Sequence, residues 1–200
     1  RISFKKAMNF LNKRVEAVKK GGNKELIWIL EHPKTYTAGI RYDQKDILDK
    51  KIKVIKTNRG GKITYHGPGQ VVFYFVIDLN KREKNIRKLI SSVENSIINT
   101  LKEFKINVFA DRKNVGIWHK RKFDNKIKIE KVAAIGIKVK KWIAYHGFAL
   151  NISNNLDAYA KIIPCGIKDK EITNLIKIKK QRYNYISDML IEKFLKEIKN

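Results

Sequence analysis

Cysteine is almost missing from this chain: Cys165 is the only one in 200 residues. One thiol excludes an internal disulfide and a zinc site built from cysteines. Prolines are few, at positions 33, 68 and 164, and no repeat or low-complexity linker interrupts the chain. Long apolar runs are missing too. None approaches the roughly 20 residues that cross a bilayer. The longest, Val71 to Leu79, is strand-sized and contains Asp78. Lys5, Lys6, Lys13 and Arg14 break up the start, so no signal-peptide pattern opens the chain as given. The expectation is a cytoplasmic protein with no membrane contact.

Acidic residues are also in short supply. Nineteen Asp and Glu face 45 Lys and Arg, a formal net charge of +26. One reading is a polyanionic partner, either nucleic acid or an acidic protein. The other is a compositional bias toward Lys, Ile and Asn, visible in alternations such as Ile52-Lys53-Val54-Ile55-Lys56. The two are compatible. With a Debye length of about 8 Å at physiological salt, such charge speeds encounter without specifying chemistry.

What is present suffices for one domain over residues 1–200. The chain is 43% hydrophobic and long enough to bury a core. Phe4, Ala7, Met8, Leu11, Val15 and Val18 recur at helical spacing and predict a helix over 3–19, ended by Gly21-Gly22. Strands are predicted at 26–30, 52–56, 71–79, 106–110 and 115–118. A second helix is predicted over 84–104 and a closing one over 185–198, with a short helical turn at 156–161. Residues 131–139 and 144–152 read as paired strands around a turn at Lys140-Lys141. Helices and strands mix without a βαβ rhythm. The predicted class is α+β, a single domain with a mixed, largely antiparallel sheet flanked by helices.

Four segments are candidates for chemistry. In Arg59-Gly60-Gly61-Lys62-Ile63-Thr64-Tyr65-His66-Gly67-Pro68-Gly69-Gln70, the glycines let backbone amides approach a ligand. Two tight turns between strands would use the same residues. The run lacks a Walker ending, and a strand follows it where a dinucleotide fingerprint needs a helix. In Pro164-Cys165-Gly166 the flanking residues suggest a turn that presents a thiol, whereas a lone cysteine is more often a small buried hydrophobe. Lys131 opens the apolar run Val132-Ala133-Ala134-Ile135-Gly136-Ile137, where a desolvated lysine can act as a cation or base. His146, in His146-Gly147-Phe148-Ala149-Leu150-Asn151, reads better as a hydrogen-bonded core residue than as a ligand or titrating group.

Taken in order, these segments resemble the octanoyltransferases of lipoyl assembly, in the superfamily of lipoate- and biotin-protein ligases. The likeness extends to Glu31-His32-Pro33, Tyr36-Thr37-Ala38-Gly39, Asn114-Val115-Gly116-Ile117-Trp118 and Ile172-Thr173-Asn174-Leu175, covering about residues 25–175. The resemblance implies a biotin/lipoate-protein-ligase-like fold. It implies transfer of octanoyl from acyl carrier protein to a lysine of lipoyl domains, those of 2-oxoacid dehydrogenases and the glycine cleavage H protein. Cys165 would carry the acyl group as a thioester and Lys131 would lower its pKa and move protons. Arg59, Gly60, Gly61, Lys62, Ile63, Thr64, Tyr65 and His66 would form the main acyl wall. Ala134, Ile135, Gly136, Gly147, Phe148 and Ala149 would complete it, with Val72 and Ile163 available to an apolar slot. No cofactor, metal or nucleic acid is expected, and the expected state is a monomer. Two other readings are an ATP-dependent ligase, which would need no cysteine, and a nucleic-acid-binding module. Against the second, the lysines are spread along the whole chain and form no recognition element.

Overall fold

A computed structural model describes residues 1–22, 24–124, 126–164 and 171–199. Its centre is a seven-stranded sheet in the order β1-β5-β9-β8-β7-β6, with β10 beside β8. These strands are β1 (Leu26–Leu30), β5 (Gln70–Asp78), β6 (Phe109–Ala110), β7 (Ile117–Phe123), β8 (Lys126–Lys140), β9 (Ile143–Asn151) and β10 (Glu171–Ile172). All neighbours are antiparallel except β10, which runs parallel to β8.

The apolar run of β5 has a simple cause: both its faces are covered. Phe73, Phe75 and Ile77 pack with residues of α2 (Ile86–Glu103) and α4 (Ile186–Lys199), among them Val93, Ile97, Leu190 and Phe194. Val72, Tyr74 and Val76 point the other way, onto Ala7, Leu11, Val15 and Val18 of α1 (Phe4–Lys19). A short helix, α3 (Leu175–Ile178), follows β10.

A second, three-stranded sheet lies on the α1 side of the molecule's centre. There β2 (Thr35–Ala38) pairs in parallel with β3 (Val54–Lys56) and antiparallel with β4 (Ile63–His66). The strand β4 runs inside the glycine-rich segment, which reads in sequence as turns. Its apolar residues Ile63 and Tyr65 pack with Tyr159 and Ile162. Strands β2, β4 and β10 and helix α3 carry too few periodic residues to be seen in sequence. The strand expected at 106–110 survives only at Phe109–Ala110, and that expected at 115–118 begins at Ile117 and runs on to Phe123.

Two details of β8 set the site. First, the hairpin to β9 turns at Lys141 and Trp142, both at positive φ (50° and 63°), one residue beyond the expected turn. That is the two-residue geometry whose twist suits paired strands. Second, the polar stretch 119–130 ahead of Lys131 is a two-stranded ribbon, with Arg121 opposite Lys128 and Lys122 opposite Ile127. At its base Glu130 is buried and ion-paired with Arg121 at 3.1 Å.

Gly147 locks β9 onto β5. It adopts φ 154°, and a Cβ there would stand 2.0 Å from the Phe73 carbonyl oxygen. Backbone at a strand centre cannot yield that far. Gly147→Ala is therefore expected to cost more than about 4 kcal/mol, in the exceptional range for a single substitution. Urea denaturation measures it; a folded variant within about 1 kcal/mol of the parent would contradict this register.

Candidate functional site

A pocket of about 300 Å³ lies between the two sheets. Its floor is the α1-side face of β5, β9 and β8. Small residues face each other there: Ala134 opposite Ala149, and Gly136 opposite Gly147. Facing positions on paired strands normally fill the space above them with two side chains. Here they leave it open. Val72 and Tyr74 of β5 continue the floor, and Phe4 of α1 adds a wall.

The roof is the glycine-rich segment. Arg59 fastens it, donating to the Thr37 carbonyl at 2.8 Å, the Thr37 hydroxyl at 2.9 Å and the Gly60 carbonyl at 2.9 Å. Gly60 presses on the floor backbone, where a Cβ would lie 2.9 Å from the Ile137 carbonyl oxygen. At the far end of the run, Gln70 accepts a contact from the His66 ring at 2.8 Å and donates to Asn151 Oδ1 at 2.9 Å. Asn151 in turn donates to the Thr173 carbonyl at 2.9 Å.

Lys131 is the buried cation of the site, 4% exposed. The Asn114–Trp118 segment cradles it. Its Nζ donates to the Val115 carbonyl at 3.2 Å and stands 4.5 Å from the centre of the Trp118 ring. Gly116 makes room, since a Cβ there would meet Nζ at 3.1 Å. Trp118 is held by its own indole N–H on the Asn114 carbonyl at 2.8 Å.

Both described flanks of the cysteine segment come to Lys131. Pro164 shares a small side cavity with Lys131, Gln70, Asn151 and Tyr159. On the other flank, Ile172 pairs with Lys131, and the Thr173 amide donates to the Lys131 carbonyl at 2.9 Å. Cys165 itself lies outside the described residues.

His32, His66 and His146 are buried. Burial is the main cause that holds His66 and His146 down to a pKa of about 3, with the Arg59 charge acting the same way. His146 contacts Asn58 Oδ1 at 3.0 Å, the hydrogen-bonded core role expected of it. The pocket thus combines neutral, buried His66 and His146 and apolar side chains with cations: Arg59 and Lys131 within, and Arg41, Lys62 and Lys113 nearer to solvent.

Comparison with known proteins gives this arrangement a context. The profile of the lipoyl protein ligase A/B catalytic domain matches residues 4–199. An octanoyltransferase of Anaplasma phagocytophilum (strain HZ) is 42% identical over 176 residues, spanning 87% of this chain and 83% of the relative. One from Wolbachia pipientis subsp. Culex pipiens (strain wPip) is 43% identical over 176 residues, 88% and 84% of the two chains. The chain belongs to the octanoyltransferase family. It is an acyltransferase of protein lipoylation. Its fold is shared with lipoate-protein ligase A solved with ATP (TM-score 0.69, 16% identity, covering 92% of this chain and 78% of that one). A bipartite lipoate protein ligase from Thermoplasma acidophilum is similar in the same sense (TM-score 0.68, 15% identity, 94% and 80%). No helix among the described residues is long and apolar enough to cross a membrane.

For this octanoyltransferase family member, Arg59, Gly61, Lys62, Ile63, Thr64, His66, Ala134, Ile135, Gly136, Gly147, Phe148 and Ala149 all line the pocket with Lys131. Gly60 and Tyr65 stand outside the lining: Gly60 is pressed on Ile137, and the Tyr65 ring turns to Tyr36 and Tyr159. Val72 lines the pocket, whereas Ile163 does not; its amide is tied to the Asp46 carbonyl at 2.7 Å. Phe4, Arg41, Tyr74 and Lys113 line it too and were not singled out. Phe4 and Tyr74 read simply as core positions of a helix and a strand. Nothing marks Arg41 and Lys113 among so many cations.

The buried rings make stability depend on pH. In the unfolded chain they protonate near pH 6.5, but in the fold only near 3. Between those values the unfolded state binds more protons, so stability is full above about pH 6.5 and falls as pH drops toward 3. Thermal melts from pH 7 to pH 4 should show this slope. His66→Gln, which removes one of the two rings, should flatten it; an unchanged slope would contradict the assignment.

Proposed function

We propose that this enzyme moves octanoyl from acyl carrier protein to a specific lysine of lipoyl domains, carrying it on Cys165, as a monomer. The acceptors are the lipoyl domains of 2-oxoacid dehydrogenases and the glycine cleavage H protein. The observation that carries the reading is the placement of Lys131. It is a buried cation at the wall of an acyl-sized pocket, and the flanks of the cysteine segment, Pro164 on one side and Ile172 on the other, stand beside it.

The chemistry balances on two groups. With Lys131 as the ammonium, the Cys165 thiolate is favoured over the thiol. The thiolate adds to the carbonyl carbon of the octanoyl thioester. The carbon–sulfur bond to the phosphopantetheine arm breaks, and the departing sulfur takes a proton from Lys131. The lipoyl-domain amine then adds to the acyl-cysteine carbon. Its proton passes to the now neutral Lys131 and the Cys165 thiolate leaves, restoring the starting pair. Backbone amides would steady the oxyanion formed in each half, and the glycine-rich segment can supply them. A thioester is already activated, so no ATP or metal enters the scheme. The charge of +26 favours encounter with acidic carrier surfaces.

Intact mass after mixing with octanoyl-loaded carrier protein should show one octanoyl adduct, absent in Cys165→Ala. An adduct that persists in that variant would remove the cysteine from the mechanism, and transfer that requires free octanoate and ATP would replace the reading with a ligase. Lys131→Ala should lose about 10²–10⁴-fold in rate near neutral pH. Lys131→Arg should not restore it, because a guanidinium keeps its proton. Rates within twofold of the parent would take Lys131 out of the proton path.

A further inference from the structure

Acyl transfer leaves one motif unused: Glu31-His32-Pro33, with the start of α1. His32 is fully buried. Its Nδ1 stands 2.6 Å from the Ile2 carbonyl oxygen and its Nε2 2.8 Å from the Tyr74 hydroxyl. The Ile2 amide donates to the Glu31 carbonyl at 2.9 Å. Residue 2 is thus gripped by both of its backbone polar groups. Ser3 then caps α1, accepting from the Lys6 amide at 3.4 Å, and Phe4 is the first helical residue. Its ring lies edge-on to His32 at 5.3 Å and nearly parallel to His66 at 6.1 Å, and it is 4% exposed.

The pocket has a direction. Lys131 and Ala134 belong to β8, Ala149 to β9 and Val72 to β5, three adjacent lanes of the sheet. From β8 to β5 is two strand spacings, about 10 Å. The Lys131 end reaches solvent past Lys113 and Val115, both exposed. The opposite end is closed by Phe4, His66 and Tyr74, all buried. An extended eight-carbon acyl chain measures on the order of 9 Å by ordinary carbon–carbon bond lengths. Its thioester carbon beside Lys131 would place its last methyl group near Phe4.

We propose that Phe4 is the end wall that sets the longest acyl chain this enzyme accepts, and that His32 is the positioning residue that holds it there. The proposal rests on the acyl-pocket reading above. His32 touches no substrate. It acts through the backbone of residue 2 and the Tyr74 hydroxyl, fixing where α1 begins.

The test compares carrier proteins loaded with octanoyl, decanoyl, dodecanoyl and tetradecanoyl groups as donors to a lipoyl domain, using the full chain and mass detection. The parent enzyme should fall steeply in kcat/KM beyond eight to ten carbons. Phe4→Ala should raise the dodecanoyl-to-octanoyl ratio at least about 10-fold, the low end of what one ill-fitting methylene group costs. Phe4→Met, which retains most of the buried volume, should shift the ratio less and toward decanoyl. His32→Ala should broaden the length profile, and His32→Gln should restore part of it; a merely structural role would lower all lengths alike. Melting curves identify any variant that does not fold, in which case Phe4→Met and the parent's own profile decide. A parent that transfers all four lengths equally, or folded Phe4 variants with the parental ratio, would overturn the end-wall assignment. A parent that transfers no acyl group of any length would instead sink the transfer reading itself.

Discussion

The site hangs on one strand pairing. When β8 meets β9, Ala134 falls opposite Ala149 and Gly136 opposite Gly147. The space that four larger side chains would fill becomes the pocket. A slip of one residue would turn these small residues to the other face and away from the pocket floor. Gly147 guards against that slip from the β5 side, through its close approach to Phe73. The pocket is therefore a product of register, and its shape is as firm as the sheet.

The same strand holds the buried Lys131. A lysine 4% exposed is costly to desolvate. Here the cost is offset by a carbonyl, an indole face and the room left by Gly116. One residue earlier, the buried Glu130 is engaged with Arg121.

Much of this was legible in sequence, for identifiable reasons. The stripe of α1, the doubly buried run of β5 and the paired strands β8 and β9 are long and periodic, and periodicity survives folding. The short strands β2, β4 and β10 are not periodic, and only tertiary pairing makes them strands. Lys131 stood out because an apolar run followed it. The lysine cradle at Asn114–Trp118 was visible as a motif, but its use depended on Gly116 passing under a side chain fifteen positions away in sequence. Phe4 was hidden by its own regularity. It continues a helical stripe, and nothing local says that the stripe's first member faces a cavity. Cys165 lies outside the described residues, and the role proposed for it rests on its motif in the sequence and on where its flanks stand.

The ribbon formed by residues 119–130 gives the excess of positive charge another meaning. Along most of its length the described residues place no strand on either outer edge, β6 and β10 pairing only at its base. Bare β edges invite a second copy to pair with them. Lys120, Lys122 and Lys126 stand exposed along this one, beside an Ile127 that is 64% exposed. Two such ribbons meeting edge to edge would bring like charges into register, and the repulsion opposes that pairing. Charge that looks like mere composition thus serves as a guard on an open sheet, protecting the molecule from itself.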